Sequence, residues 1–389
     1  MKNEYDVIVV GAGPAGSVAA ATAARKGLDV LLIEKKQEIG EPVRCAEGVI
    51  KTGLDQFIDY DPKWVCAEVK TGRIHAPNGN KLIFTQNDIA GYVLDRKIFD
   101  RSLASAAAKA GSEIQVKTQA TGLIVEDGSI KGIKGICRGN EFEARSKIVI
   151  GTDGVESKIG RWAGLMGPLK LKDIETCAEF VISGIDIDPE CLELYFGNKI
   201  SPGGYVWVFP KGKNEANIGL GMLASRVDGT HPIEYLKEYV NKHFPDGRII
   251  QSISGAVPVC DISGRFSTGG LMLAGDGARL VDPLLGAGII NAMLSGRMAG
   301  NTAVNAINEK DVSARSLKRY DDGIHSSIGK AIHRNYMVKE FVVGSSDRQI
   351  NLMLAAVKKL NVESIPISKL FHTVTTEGLP LLKVARMVV

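Results

Sequence analysis

Residues 5–16 read YDVIVVGAGPAG, and the reading of the whole chain works outward from them. Tyr5 to Val10 is an apolar, β-branched run, long enough for one buried parallel strand. Gly11, Gly13 and Gly16 follow in the spacing G-x-G-x-x-G, and Ala15 to Arg25 continues as small, helix-compatible residues. A second apolar run, Asp29 to Ile33, ends in Glu34, close to the distance of roughly twenty residues at which an acid meets a ribose. Gly11 permits the tight strand-to-helix turn, Gly13 lets the backbone approach a pyrophosphate, and Gly16 lets helix and sheet pack closely. The helix N-terminus adds unpaired N–H groups and a positive dipole end. Alone, the glycine spacing is a weak signal. Framed by strand, helix and acid it predicts a dinucleotide site, with NAD and FAD both open.

The 389 residues have room for two domains or one large, interrupted one. With 44% hydrophobic and 24% charged residues and a net charge of +4, the composition is that of an ordinary folded protein and gives no reason to expect nucleic acid. Cys45, Cys66, Cys137, Cys177, Cys191 and Cys260 show neither C-x-x-C nor His-paired spacing. That argues against a metal site and against a secreted disulfide framework. No signal peptide precedes the first strand, and no uncharged apolar run approaches the ~20 residues of a membrane span. A cytoplasmic protein, or one peripheral to a membrane, is expected.

Lys35 to Gly48 (KKQEIGEPVRCAEG) is long for a connection, and such loops are usually functional or disordered. Lys70 to Ala90 reads as short strands with a turn at Asn78-Gly79. Asp95 is a candidate N-cap for a helix running to about Lys109, stopped by Gly111. Strand-like runs follow, and Lys147 to Gly151 (KIVIG) ends in Thr152-Asp153-Gly154. Between about Met166 and Ile253 longer alternating strands take over, with one helix near Ile233–His243. Tyr205, Trp207 and Phe209 alternate before Pro210, so they share one strand face, either a half-buried core face or the wall of an apolar cavity. Gly270 to Ala274 is again a buried strand; it enters Gly275-Asp276-Gly277, and Gly286-Ala287-Gly288 then opens a helix over Ile289–Ala306. From Ser313 helical patterns dominate, and the last forty or so residues carry no catalytic motif.

Taken together, the fingerprint, Asp95-Arg96-x-x-Phe99-Asp100, Gly151-Thr152-Asp153-Gly154 and Gly275-Asp276 resemble the FAD-dependent enzymes of glutathione-reductase-like fold, in the branch containing aromatic hydroxylases. The resemblance implies an α/β architecture. A Rossmann-like FAD-binding domain (1–65, 95–165 and 255–330) is interrupted by a mostly antiparallel β-sheet substrate domain (66–94 and 166–254), and a helical region (331–389) follows. It implies non-covalent FAD held by Gly11, Gly13, Ala15, Gly16, Glu34, Arg96 and Asp276, with Gly286, Gly288 and Ile289 against the flavin and Ala120 near adenine. Within that branch, PVRCAEG at 42–48 and Tyr205-x-Trp207-x-Phe209-Pro210, followed after eight residues by Gly219-x-Gly221, resemble the geranylgeranyl reductase family, especially the archaeal digeranylgeranylglycerophospholipid reductases. This implies that Arg44, Cys45, Ala46 and Gly48 lie beside the cofactor. It implies also that Tyr205, Trp207, Phe209, Pro210, Gly219 and Gly221 shape a cavity for an isoprenoid ether lipid. An electron donor, ferredoxin or NAD(P)H, and contact with a membrane surface are implied too.

Reduction of an isolated alkene requires hydride at one carbon and a proton at the other, with water and oxygen kept out. Cys45 is the one thiol expected near the flavin and the candidate catalytic residue, as donor or steric positioner; the competing reading is an inert packing cysteine. His325, His333 and His372 lie far along the chain from these motifs and are expected to pack or face solvent; Lys330 and Arg334, one helical turn apart, offer either a lipid-phosphate site or, the favoured reading, a solvated helix face. Two rivals use the same scaffold: an aromatic monooxygenase or halogenase, and a flavin-free prenyl-binding escort protein. Arg279, where the hydroxylases often carry His, speaks against the first, and the intact fingerprint against the second.

Overall fold

Glu4–Val10 forms a strand in which Val7, Ile8 and Val9 have no solvent exposure, as a β-branched run covered on both faces requires. In the computed structural model, which describes residues 1–359, this strand belongs to an eight-stranded sheet. Its parallel neighbours are Asn140–Gly151 and Val30–Ile33, flanked in turn by the parallel strands Leu271–Leu273 and Glu113–Gln115. The hairpin Thr118–Glu126/Ser129–Cys137 extends Asn140–Gly151 antiparallel. The helix Pro14–Ala24 begins with proline, whose missing N–H is unneeded in a first turn. Its alanines and glycines let it press on Ile289–Asn308: an added Cβ at Gly296 would stand 2.2 Å from the Ala15 carbonyl oxygen. Arg96–Lys109 packs beside it, capped by Asp95, which accepts from the Ile98 N–H.

The second sheet has seven strands, in the order Arg248–Pro258, Ile174–Ser183, Glu215–Leu223, Tyr205–Pro210, Cys191–Phe196, Thr71–His75, Lys81–Thr85. All its neighbours are antiparallel except Cys191–Phe196 with Thr71–His75. Along Ile174–Ser183, Ala178, Phe180 and Ile182 pack into a cluster with Leu236, Tyr239 and Val240 of the helix Pro232–His243. Strand alternation therefore turns Glu175, Cys177 and Glu179 to the opposite face. A third sheet joins Gly48–Ile50, Gly91–Leu94 and Val65–Val69.

Helices Ala314–Ile324 and Lys330–Val343, joined by a π turn at His325–Gly329, and then Asp347–Lys359 complete the described chain. The α/β class, with a Rossmann-like sheet, a mostly antiparallel sheet and C-terminal helices, is the expected one. Residues 360–389 of the expected helical region, His372 among them, lie outside the described residues. The loop expected to run to Gly48 gives way there to a three-residue strand and a one-turn helix, Lys51–Leu54. Elements that short carry no periodicity to read. Among the described residues no helix is long and apolar enough to cross a membrane, and no cluster of His, Cys, Asp and Glu suits a metal.

Candidate active site

The glycine turn is built for backbone proximity. Gly11 has φ +107°, and a Cβ there would meet the Thr152 carbonyl oxygen at 2.5 Å; a Cβ on Gly16 would overlap the Gly11 oxygen at 1.8 Å. The Thr152 hydroxyl braces the same turn, within 2.8 Å of both the Val10 and Gly11 carbonyl oxygens. Gly13 differs: apart from its own chain neighbours, nothing lies within 4 Å of the position its Cβ would take, and the residue lines a cavity of ≈ 1390 Å³. Glu34 is buried, each carboxylate oxygen accepting one backbone N–H at 3.0 Å, from Ala12 and from Lys36. Each oxygen keeps a lone pair for a further donor. A bare glycine at a helix N-terminus, beside a carboxylate with spare acceptor capacity, fits a dinucleotide's pyrophosphate and ribose. The cavity exceeds the 300–1,000 Å³ or so of a small-ligand pocket, leaving room for a second, larger occupant.

Farther along the same cavity lie Arg44, Cys45, Ala46 and Gly48, with Arg96, Ala120 and Asp276. Gly286, Gly288 and Ile289, which open the helix Ile289–Asn308, line it too. Arg96 makes a two-pronged ion pair with Asp100 at 2.8 and 2.9 Å. The loop is fastened by Glu47, which sequence reasoning did not single out. Glu47 is 2% exposed and has φ +71°. One of its oxygens accepts from the Arg96 N–H at 2.8 Å; the other pairs with the Lys211 ammonium and accepts from Asn217 at 2.8 Å. One carboxylate thus ties the Cys45 loop to the Arg96 helix and to the seven-stranded sheet. Cys45 accepts a weak hydrogen bond from the Glu47 N–H at 3.2 Å. Burial pushes its thiol up; Arg96 and the Glu47 N–H pull against that, and the charges of Glu47 and Glu179 add to it. Cys45 is therefore a protonated thiol at neutral pH.

Tyr205, Trp207 and Phe209 all line the cavity from one strand, while Val206 and Val208 pack into the cluster behind. Four expected site residues, Gly16, Pro210, Gly219 and Gly221, do not reach it. Three motif glycines leave room for side chains that do. A Cβ on Gly48 would stand 2.8 Å from the Phe209 ring, one on Gly219 2.4 Å from the Trp207 ring, and one on Gly221 2.7 Å from the Glu175 carboxylate. Tyr205 donates its hydroxyl hydrogen bond to the Leu285 carbonyl, tying this strand to the loop before Gly286.

Two further cavity residues had no motif to announce them. Glu179 is 4% exposed, and its Oε2 accepts from the Trp207 indole N–H at 2.8 Å. Burial pushes its carboxyl up to about 8, reinforced by Glu47 and opposed by Trp207 and Lys211. Glu175 is 7% exposed, and burial pushes it up to about 7 against the pull of Lys339. Burial therefore keeps Glu179 mostly protonated at neutral pH and leaves Glu175 about half so. Their signal in sequence was only the alternation Glu175, Cys177, Glu179. The far wall is apolar and comes from the C-terminal helices: Val338, Val342, Ile350, Met353 and Leu354 all face the cavity. The chain's end lacks catalytic motifs, yet it walls the site. His325 and His333 stand outside it, the first near the Gly264 carbonyl and the second on Asp261.

Residues 6–164 match the FAD dependent oxidoreductase family, and residues 173–257 the geranylgeranyl reductase catalytic domain. The chain is 54% identical to the digeranylgeranylglycerophospholipid reductase of Methanocella arvoryzae, with 98% of each covered. It is 36% identical to the crystal structure of a geranylgeranyl bacteriochlorophyll reductase-like protein from Thermoplasma acidophilum, with a TM-score of 0.91 and both chains fully covered. A flavin-dependent brominase superposes with a TM-score of 0.72 at 19% identity, covering 99% of this chain and 98% of its own, a likeness of fold alone.

Proposed function

Since the chain belongs to the digeranylgeranylglycerophospholipid reductase family, we propose that it is an FAD-dependent reductase hydrogenating the geranylgeranyl C=C bonds of archaeal-type membrane ether lipids. The observation that carries this reading is one cavity with two ends. It starts at the dinucleotide turn and finishes in an apolar chamber walled by aromatic rings and two C-terminal helices.

FAD, held without a covalent bond, supplies the hydride once reduced. Gly11, Gly13 and Ala15 with the helix start would take the pyrophosphate, Glu34 the ribose, Ala120 the adenine end and Asp276 the ribityl chain, all of them residues of the cavity wall. The Arg44–Gly48 loop and the Gly286–Ile289 turn would flank the reacting ring, and Glu47 holds that loop in register with Arg96. Tyr205, Trp207 and Phe209 orient the isoprenoid chain. Their π faces favour positive charge developing on a trisubstituted alkene, worth up to about 2 kcal/mol in a dry site. The apolar far wall excludes water from the reacting carbons. Cys45, a thiol beside this centre, bears on alkene position rather than acting as a nucleophile.

The two helices that close the chamber also carry exposed Met337 (51%) and Leu352 (49%), which suit contact with a membrane from which the lipid enters. The electrons come from an external donor, ferredoxin or NAD(P)H. The test is anaerobic: dithionite-reduced protein should regain its yellow absorbance when given a digeranylgeranylglyceryl phospholipid. Protein that stays reduced until oxygen is admitted contradicts the reading.

A further inference from the structure

Saturating an alkene consumes a proton as well as a hydride, and the side chain that delivers it must sit in the cavity, be protonated, and present its O–H or S–H inward. Four groups on or beside the Ile174–Ser183 strand carry a proton at or near neutral pH: Glu175, Glu179, Cys45 and Cys177, the last a thiol that burial holds well above its ordinary value. Glu175 lies toward Tyr205 and Lys339, at the end of the cavity near the small pocket that those residues share. Cys45 and Cys177 are the weaker acids. Glu179 stands in a defined hydrogen-bond geometry. Its Oε2 is occupied by the Trp207 N–H, so in the neutral acid Oε2 is the carbonyl oxygen and the proton sits on Oε1. Oε1 has no hydrogen-bond partner in the protein and is itself covered, so delivery of its proton requires the carboxyl group to turn toward the cavity that the residue lines. A buried polar atom left unpaired costs about 1–3 kcal/mol unless something else in the site meets it.

Resting on the reductase reading above, we propose that Glu179, aligned by Trp207, is the acid that protonates the alkene. The less substituted carbon takes the proton from Oε1, and the O–H bond breaks as the C–H bond forms. The more substituted carbon, where positive charge gathers, accepts the hydride that the reduced cofactor supplies. The alkene gains two electrons and the cofactor loses two. Glu179 is left as a carboxylate and takes a proton from water when the product leaves. Trp207 thereby has two tasks, one through its ring and one through its N–H. The groups facing Glu179 are Glu47 and Lys211 from the loop and the neighbouring sheet, Cys45 opposite, Cys177 along the strand, and the Trp207 indole. The net field is that of a buried acid beside one compensated ion pair.

The test compares wild-type holoenzyme with Glu179→Gln, using Glu175→Gln and Cys45→Ala as controls. Glutamine keeps an oxygen for the Trp207 N–H and removes the acidic proton. FAD content and quenching of tryptophan fluorescence by the lipid should match wild type within about twofold. Anaerobic reoxidation of the reduced cofactor by lipid should slow at least about 10²-fold, the scale of general-acid contributions. The alkaline limb of its pH profile, centred near 8 in wild type, should vanish. Independently of turnover, infrared titration of the oxidised protein should show protonated-carboxyl absorbance bleaching in two components, one near 7 from Glu175 and one near 8 from Glu179, and only the component near 8 should be missing in Glu179→Gln. Glu175→Gln and Cys45→Ala, whatever their rates, should keep the component near 8 and the alkaline limb of the pH profile, and loss of that limb in either overturns the proposal. Unchanged rate and pH profile in Glu179→Gln overturn the proposal. So does loss of FAD or lipid binding along with the rate, which makes the carboxyl a packing partner of Trp207. If wild type itself is not reoxidised by lipid while the infrared band behaves as described, the reductase reading fails first and the assignment of the acid falls with it.

Discussion

Residue by residue, the clearest contrast is between glycines that serve packing and the one that serves a ligand. Gly11 and Gly16 have backbone oxygens where a Cβ would go, whereas Gly13 faces open cavity. Gly13→Val should therefore fold normally by circular dichroism yet purify colourless, its affinity for added FAD reduced at least about 10²-fold, or roughly 3 kcal/mol. Retention of yellow colour would place the pyrophosphate elsewhere. Glu47 makes the opposite kind of prediction. Removing it in Glu47→Ala leaves the Lys211 ammonium, 16% exposed, without its partner. Breaking a buried pair from one side costs about 3–5 kcal/mol, to be read as a lower denaturation midpoint at unchanged slope. A shift under 1 kcal/mol or so would mean that water reaches Lys211 freely. The dinucleotide turn was legible because its spacing is a rule of backbone geometry. Glu47 and Glu179 were not, because a buried acid looks the same in sequence as a solvated one until its partners are known.

Among the elements, the strand Glu215–Leu223 shows how a sheet can shape a chamber without touching what fills it. Its Gly219 and Gly221 lie beneath Trp207 and Glu175, side chains contributed by the strands on either side. Gly219→Ala places a methyl group 2.4 Å from the Trp207 ring as it stands, so the ring must move. FAD content should persist while lipid turnover falls about tenfold or more. Equal loss of both would assign the pair of glycines to the core. The alternation Tyr205, Trp207, Phe209 was readable as one face, but sequence alone left open which face met a cavity. That answer came from the partner helix Pro232–His243, which covers the opposite side. The C-terminal helices hid their role for a similar reason: an apolar helix face reads alike whether it meets a core or a hollow.

For the whole molecule, two buried acids leave a thermodynamic signature. Glu179 titrates near 8 in the folded protein against an ordinary 4.5, so between those values the native state holds a proton that the unfolded chain has lost. Its contribution to stability is full below about 4.5 and declines as pH rises to about 8, at roughly 1.4 kcal/mol per unit. The difference in unfolding free energy between wild type and Glu179→Gln should therefore shrink, or reverse sign, as pH rises across that window. Parallel curves would mean that the carboxyl is already ionised in the fold. At this scale the order of motifs along the chain gave the cofactor end, and the seven-stranded sheet with its helical cover gives the substrate end.

The most direct measurement is the mass of the lipid itself. Reduced protein and a digeranylgeranylglyceryl phospholipid, mixed without oxygen in deuterated water, should yield a product carrying two added hydrogens per bond. Both new C–H positions should be labelled, since the cofactor's transferable hydrogen exchanges with solvent. Lipid of unchanged mass, with turnover appearing only when oxygen and a small aromatic are supplied, would contradict the reductase account and leave the fold standing.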